Sequence, residues 1–77
     1  MQRNANGDFR IRTYGRTELA QAYNPELTSG GAWKRLRTWI AYYPGLKQRL
    51  EELGGGQRRR TYTPAQVAAI IEALGEP

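Results

Sequence analysis

The chain has 77 residues, enough for one small domain in which every apolar face is needed to build a core. It contains neither cysteine nor histidine, which excludes disulfides, the usual zinc sites, thiol nucleophiles and imidazole bases. Its seven acidic residues are scattered, and only Glu51 and Glu52 are adjacent, a spacing that puts them on different faces of a helix. We therefore expect a protein that is not an enzyme and that needs no cofactor, metal or small-molecule substrate.

Basic residues outnumber acidic ones by 12 to 7, for a net charge of +5, and ten of the twelve are arginine. The planar fork of arginine suits phosphates and base edges. The excess charge predicts an anionic partner, although it also serves the solubility of a small domain. No apolar run approaches the roughly 20 residues of a membrane span, and the amino terminus has no secretory pattern. The sequence thus predicts a cytoplasmic protein without a membrane partner.

The amino-terminal third is expected to contain a tail, a strand and a short helix. Residues 1–7 have no periodicity, so we expect a disordered tail followed by a single domain over residues 8–77. Apolar and basic residues alternate over residues 9–13, which predicts a half-buried strand. Thr17 then precedes a short helix predicted over residues 18–23, which Pro25 is expected to end.

Thr28 or Ser29 is predicted to cap the longest helix, which ends near residue 43. Gly30 and Gly31 each cost about 1 kcal/mol inside a helix, so either the helix begins after them or something approaches the backbone closely. We expect both tryptophans of this segment to lie in the core. The apolar set at helical spacing is Ala32, Trp33, Leu36, Trp39, Ile40 and Tyr43.

A third helix is predicted over residues 46–53, with Gly54 as its stop. Its inward-facing residues are Leu46, Leu50 and Leu53. The glycines that follow predict a turn, after which residues 58–62 return as a strand beside residues 9–13.

Both ends of a fourth helix are marked in the sequence. Thr63 is a cap, Pro64 occupies the first turn, where its missing N–H has no cost, and Gln66 completes a capping box. Gly75 supplies the left-handed stop. The apolar face consists of Val67, Ile70, Ile71 and Leu74.

Together these elements predict a mainly α domain of four helices with a two-stranded sheet, built as a winged helix-turn-helix variant. In that geometry a basic helix over residues 32–43 enters the major groove, and an Arg-rich wing over residues 54–62 contacts the adjacent backbone or minor groove. Arg35 and Arg37 are candidates for base edges and Lys34 for a phosphate. We expect double-stranded DNA as the partner. The complete candidate set is Arg10, Arg12, Lys34, Arg35, Arg37, Arg58, Arg59 and Arg60.

Two other interpretations stay open. A protein-interaction module is one, because Trp33, Tyr42 and Tyr43 beside arginines have the composition of protein contact surfaces. Single-stranded nucleic acid is the other, because an exposed Tyr14, Tyr42 or Tyr62 next to arginine can stack bases. The sequence does not choose among DNA, RNA and protein as the partner.

Several blocks of the sequence resemble a known family. They are Phe9-x-Ile-Arg-x-Tyr-Gly-Arg-Thr-Glu-Leu-Ala, Tyr23-Asn-Pro-Glu-Leu-Thr, Ala32-Trp-Lys-Arg-Leu, Tyr43-Pro-Gly-Leu and Thr63-Pro-Ala-Gln-Val. The family consists of short proteins described as a domain of unknown function and abundant in Bacteroides and its relatives. The likeness covers about residues 9–77 and implies a fold family and a cytoplasmic bacterial setting, but no activity.

A weaker similarity is to winged helix-turn-helix domains of the MerR and excisionase type. It implies that Thr17-Glu-Leu-Ala opens the first helix and that Thr63-Pro-Ala-Gln-Val opens the helix after the wing. The chain departs from that pattern in its long first turn and in Gly30-Gly31. Because unrelated functions share folds, this similarity concerns architecture alone.

Overall fold

The structure is a computed structural model that describes residues 9–54 and 60–77. These residues form four α-helices and one two-stranded antiparallel sheet, which confirms the mainly α fold. In chain order the elements are β1 (Tyr14–Gly15), α1 (Arg16–Tyr23), α2 (Ser29–Tyr42), α3 (Leu46–Gly54), β2 (Thr61–Tyr62) and α4 (Pro64–Leu74). The tail expected over residues 1–7 lies outside the described residues.

The sheet is short. β1 and β2 pair through Tyr14 opposite Tyr62 and Gly15 opposite Thr61. β2 therefore occupies only the end of the strand predicted over residues 58–62, of which residues 58 and 59 lie outside the described part of the chain.

The strand predicted over residues 9–13 is wrong. This segment turns back on Tyr14, whose hydroxyl donates to the carbonyl of Arg10 at 2.8 Å and whose ring stacks on Phe9 with centroids 5.1 Å apart. Tyr14 is buried, whereas Ile11, which the alternating pattern places inside, is 55% exposed. Long-range pairing therefore selects the strand position, and local alternation does not.

α1 begins at Arg16, two residues earlier than predicted. Gly15 is the N-cap, and its N–H donates to the Oε1 atom of Glu18 at 3.0 Å. Only this half of a capping box exists, because glycine has no side chain to return the bond. The prediction that the helix begins after Thr17 is therefore wrong. The helix ends at Tyr23, before Pro25, as predicted.

α2 includes both of its glycines. The Oγ1 atom of Thr28 accepts a hydrogen bond from the N–H of Gly31 at 3.2 Å, so the helix begins at Ser29. Thr28 is thus one of the two predicted caps, and the alternative in which the helix begins after Gly30 and Gly31 is wrong. A Cβ atom at Gly30 would meet no atom of the described chain within 4 Å, so a close approach by that part of the chain does not explain this glycine.

α4 has the caps that the sequence predicts. The Oγ1 atom of Thr63 accepts from the N–H of Gln66 at 3.2 Å, and the Oε1 atom of Gln66 accepts from the N–H of Thr63 at 2.9 Å. The same Gln66 side chain donates from Nε2 to the carbonyl of Leu50 at 2.8 Å and so ties α4 to α3. Gly75 ends the helix with a φ of 90°.

The core consists mainly of aliphatic side chains. The largest fully buried ones are Leu19, Leu36, Val67 and Ile70, from α1, α2 and α4. Trp39 was predicted to lie in the core but is 36% exposed, and its ring meets that of Tyr23 edge-on with centroids 6.2 Å apart. Trp33 is half-buried and packs against the core from its edge.

Helical geometry explains the place of Trp39. The buried residues of α2 are Ala32, Leu36 and Ile40, which lie four residues apart. Trp39 lies about 100° around the axis from Ile40 and thus at the margin of this stripe. In α3, Leu46 and Leu50 are buried as predicted, whereas Leu53 is 42% exposed.

α2 is the longest described helix, with 14 residues. Within residues 9–54 and 60–77, no helix is long and apolar enough to cross a membrane.

Candidate nucleic-acid interface

A groove of about 360 Å³ lies where the four helices and β2 meet. Its lining includes Arg16 of α1, Trp33 and Arg37 of α2, Lys47 of α3, Tyr62 of β2 and Gln66 of α4. Because these residues come from distant parts of the sequence, only the folded chain brings them together.

Two aromatic rings form an apolar part of the groove. The ring centroids of Trp33 and Tyr62 are 6.3 Å apart, with the planes tilted by 49°. The guanidinium carbon of Arg16 lies 4.9 Å from the centroid of the Trp33 ring, within the range of a cation–π interaction. The sheet brings Arg16 to this place, because its backbone N–H donates to the carbonyl of Arg60 at 2.9 Å.

Two further cations line the groove. Arg37 follows Trp33 by four residues, which puts the two side chains about 40° apart on α2. Lys47 lies in the first turn of α3. Glu51 also lines the groove, so the described lining residues include three cations and one acid.

The three groove cations, Arg16, Arg37 and Lys47, have no carboxylate at ion-pair distance among residues 9–54 and 60–77. The ion pairs of this part of the chain lie elsewhere: Arg12 with Glu18, and Arg49 with Glu72, each at 2.9 Å. The positive charge of the groove is therefore free to attract an anion.

The groove has a buried polar residue in its lining. Gln66 is 5% exposed, and its amide already bonds to the N–H of Thr63 and to the carbonyl of Leu50. These bonds fix the orientation of the side chain, so Gln66 shapes the groove and holds α3 against α4.

The hydroxyl of Tyr62 stays neutral. Burial raises the pKa of Tyr62 to about 12, although the nearby Arg16 acts in the opposite direction. At neutral pH this hydroxyl therefore keeps its proton and can donate a hydrogen bond to an anion.

The structure separates the basic residues predicted on α2. Arg37 lines the groove, and Lys34 lies one turn before it, about 60° around the axis. Arg35 lies about 160° from Arg37, on a different face. All three side chains are exposed. The helix therefore presents Lys34 and Arg37 near the groove and Arg35 away from it.

Two other members of the predicted set lie before β1. Arg10 is exposed. Arg12 is already engaged, because it pairs with Glu18 at 2.9 Å and its guanidinium carbon lies 3.7 Å from the ring centroid of Tyr14. Two hydrogen bonds hold the pKa of Glu18 below its ordinary value. The bond from Arg12 has the larger effect, and the bond from the N–H of Gly15 has the next largest.

The arginine run before β2 is described only in part. Arg60 is exposed and directly precedes Thr61, which lines the groove. Arg58 and Arg59, which the sequence assigns to the same candidate set, lie outside the described residues.

A family model described as Domain of unknown function (DUF4248) matches residues 10–77. The chain belongs to the DUF4248 family. No curated protein and no solved structure matched it. The family membership confirms the resemblance to a domain of unknown function, whereas the Bacteroides setting and the likeness to helix-turn-helix domains stay predictions.

Two cations that line the groove of this DUF4248 chain, Arg16 and Lys47, are not among the residues predicted from the sequence. Lys47 had a usable signal, because it lies one residue after the inward-facing Leu46 and thus on the flank of α3. Arg16 had none, because its place depends on the pairing of β1 with β2. The periodicity of α2 also shows that Trp33 and Arg37 share a face that Arg35 does not.

Proposed function

We propose that the chain binds double-stranded DNA through a basic surface around the groove. One observation carries the proposal: the fold brings cations from three helices to one groove beside β2, with no carboxylate partner among the described residues. These cations are Arg16, Arg37 and Lys47.

The surface extends beyond the groove at both ends. Lys34 lies one turn before Arg37 on α2, and Arg60 directly precedes Thr61, which lines the groove. By sequence, Arg58 and Arg59 add to the charge next to Arg60. A basic stripe that joins α2 to the segment before β2 is a feature that DNA-binding surfaces use to follow the phosphate backbone.

Arginine–phosphate contacts supply the affinity in this proposal. Arginine presents a planar fork that bonds two phosphate oxygens at once, and each neutralised phosphate releases condensed counterions. Such contacts position the protein on the duplex and carry no sequence information by themselves. We therefore expect a strong dependence on salt and a weak dependence on sequence.

The architecture is compatible with a winged helix-turn-helix variant in which α2 faces the DNA and residues 54–62 form the wing. Lys34 and Arg37 replace Arg35 as the helix residues nearest the proposed interface. The proposal keeps the expected bacterial cytoplasmic setting and involves no reaction.

Fluorescence anisotropy of a labelled mixed-sequence duplex, titrated with the protein at several salt concentrations, tests the proposal. We expect the logarithm of the binding constant to fall linearly with the logarithm of salt, with a slope of about −4.5 if about five phosphates are neutralised and each contributes about −0.9. Absence of binding at low salt would contradict the proposal.

Protein interaction is the second candidate function, and one observation favours it. Tyr42 is 81% exposed and Trp39 is 36% exposed, and with Arg35 they form one face of α2 at spacings of three and four residues. Exposed aromatic residues beside arginine are typical of binding hot spots. The patch expected from Trp33 and Tyr42 does not form, because Trp33 lies in the groove. A Tyr42→Ser variant separates the two functions. If DNA binds through the groove, this variant should bind the duplex as tightly as the unmodified protein does, because Tyr42 does not line the groove.

A further inference from the structure

We propose that the groove holds one unpaired nucleotide of the bound DNA, with its base against Trp33 and Tyr62 and its phosphate against Arg37 and Lys47. The inference rests on the proposed function and specifies which form of DNA is bound most tightly. The preferred DNA is then a duplex with a strand end or an unpaired position, and a fully paired duplex is a weaker ligand.

The size of the groove favours a single nucleotide. Its volume of about 360 Å³ lies at the small end of the range of about 300 to 1,000 Å³ that is typical of pockets for small ligands. A paired base inside a duplex cannot enter such a space, because it is stacked and bonded within the double helix. An unpaired or extruded base can enter it.

The apolar part of the groove suits a base. Aromatic rings and guanidinium planes are the surfaces on which proteins stack unpaired bases. Trp33 and Tyr62 are both half-buried, so the core holds their orientations, and the guanidinium of Arg16 lies over the Trp33 ring. Since every base has a flat face, this site is expected to accept any of the four bases.

The charged part of the groove suits a phosphate. Arg37 and Lys47 are exposed, come from different helices and have no carboxylate at ion-pair distance in the described chain. The described lining residues carry a net positive charge when Glu51 is included. Among residues 9–54 and 60–77, the hydroxyl of Tyr62 has no hydrogen-bond partner, so it can donate to a phosphate oxygen.

The two tryptophans provide a direct reporter. Trp33 lines the groove and Trp39 does not, so a Trp39→Phe variant emits from the groove alone and a Trp33→Phe variant from outside it. Trp39 is 36% exposed, and its replacement by another aromatic residue is expected to be tolerated. The ligands to compare are a blunt duplex and the same duplex with one unpaired adenine nucleotide at a strand end.

We expect the unpaired nucleotide to tighten binding about fivefold to tenfold, the low end of the range for stacking one base. It should also quench the emission of Trp33 in the Trp39→Phe variant and leave that of Trp39 in the Trp33→Phe variant unchanged. Lys47→Gln should remove the gain in affinity. Arg49→Gln is the matched control, because it removes one charge from a different face of the same helix, where Arg49 pairs with Glu72.

The outcomes separate this inference from the proposed function. Equal affinity for both duplexes, or a gain without quenching of Trp33, overturns the inference and leaves duplex binding standing. Quenching of Trp33 by free deoxyadenosine monophosphate, without a gain from the unpaired nucleotide, assigns the groove to free nucleotides and also overturns it. Failure to bind either duplex overturns both proposals.

Discussion

Arg16 lies with its guanidinium carbon 4.9 Å from the centroid of the Trp33 ring. Its backbone N–H donates at the same time to the carbonyl of Arg60. This one residue therefore joins the start of α1 to the face of α2 and to the segment that precedes β2. Its position makes Arg16 both a structural contact of the groove and one of the three cations among its described lining residues.

Arg16→Gln should affect stability and binding to different extents. Loss of this half-buried cation–π interaction should lower the free energy of unfolding by about 0.5 to 2 kcal/mol, while the backbone hydrogen bond to Arg60 remains. DNA affinity should fall further, because a groove charge is lost. Urea denaturation and anisotropy measure the two effects. Arg16→Lys is the control that keeps the charge, and equal DNA affinities of the two variants would show that this charge has no role.

Replacement of Arg58, Arg59 and Arg60 by glutamine tests the predicted wing. If all three side chains contact phosphates, the variant should bind the duplex more weakly, and its salt slope should be less steep by between about 2 and 3. Anisotropy at several salt concentrations gives both quantities, with circular dichroism to check the fold. Affinity that is unchanged at low salt would show that this segment is not a wing.

Gly54→Ala and Gly30→Ala should have opposite effects on stability. A Cβ atom at Gly54 would lie 2.1 Å from the Nε2 atom of Gln66, whose amide bonds to Leu50 and Thr63. Displacing this buried amide should cost about 1 to 3 kcal/mol. A Cβ atom at Gly30 meets no described atom within 4 Å, so alanine there should stabilise the helix by up to about 1 kcal/mol.

Urea denaturation of both glycine variants and of the unmodified protein gives the two changes in the free energy of unfolding. The matched substitution separates the contact at Gly54 from the general effect of alanine on helices. Equal stabilities of the two variants would contradict the assigned role of Gln66.

Stability should fall at high pH because of two tyrosines. Burial raises the pKa of Tyr23 and of Tyr62 from the ordinary 10.0 to about 12. Between pH 10 and 12 the unfolded chain has therefore lost protons that the folded chain keeps, so the free energy of unfolding decreases in this window and is unaffected by these groups below it. Tyr23 and Tyr62 replaced together by phenylalanine should reduce the decrease, as measured by denaturant titration against pH. If the free energy of unfolding of this double variant fell with pH as steeply as that of the unmodified protein, the two tyrosines would not be the cause.

Local chemistry made part of the fold predictable. The capping box of Thr63 and Gln66 depends on residues three positions apart, and the structure shows both of its bonds. The helices over residues 46–54 and 64–74 likewise follow from apolar spacing and from the glycines beside them. Such features are decided within a few residues, so a sequence reveals them.

Long-range packing made other parts unpredictable. β1 lies at Tyr14 because this residue pairs with Tyr62, far along the chain, and no pattern in residues 9–13 reports that pairing. Arg16 reaches the groove through the same sheet. The separation of Arg35 from Arg37, by contrast, follows from the helical period alone and was open to prediction.

The most direct test of DNA binding by the groove compares Arg37→Gln with Arg35→Gln by anisotropy across salt. The two variants lose the same charge from the same helix, but only Arg37 lines the groove. We expect Arg37→Gln to weaken duplex binding by about 1 kcal/mol, roughly fivefold, and to make the salt slope less steep by about 1. Arg35→Gln should have nearly the affinity and the salt slope of the unmodified protein. Equal losses in both variants, or a larger loss for Arg35→Gln, would contradict the account.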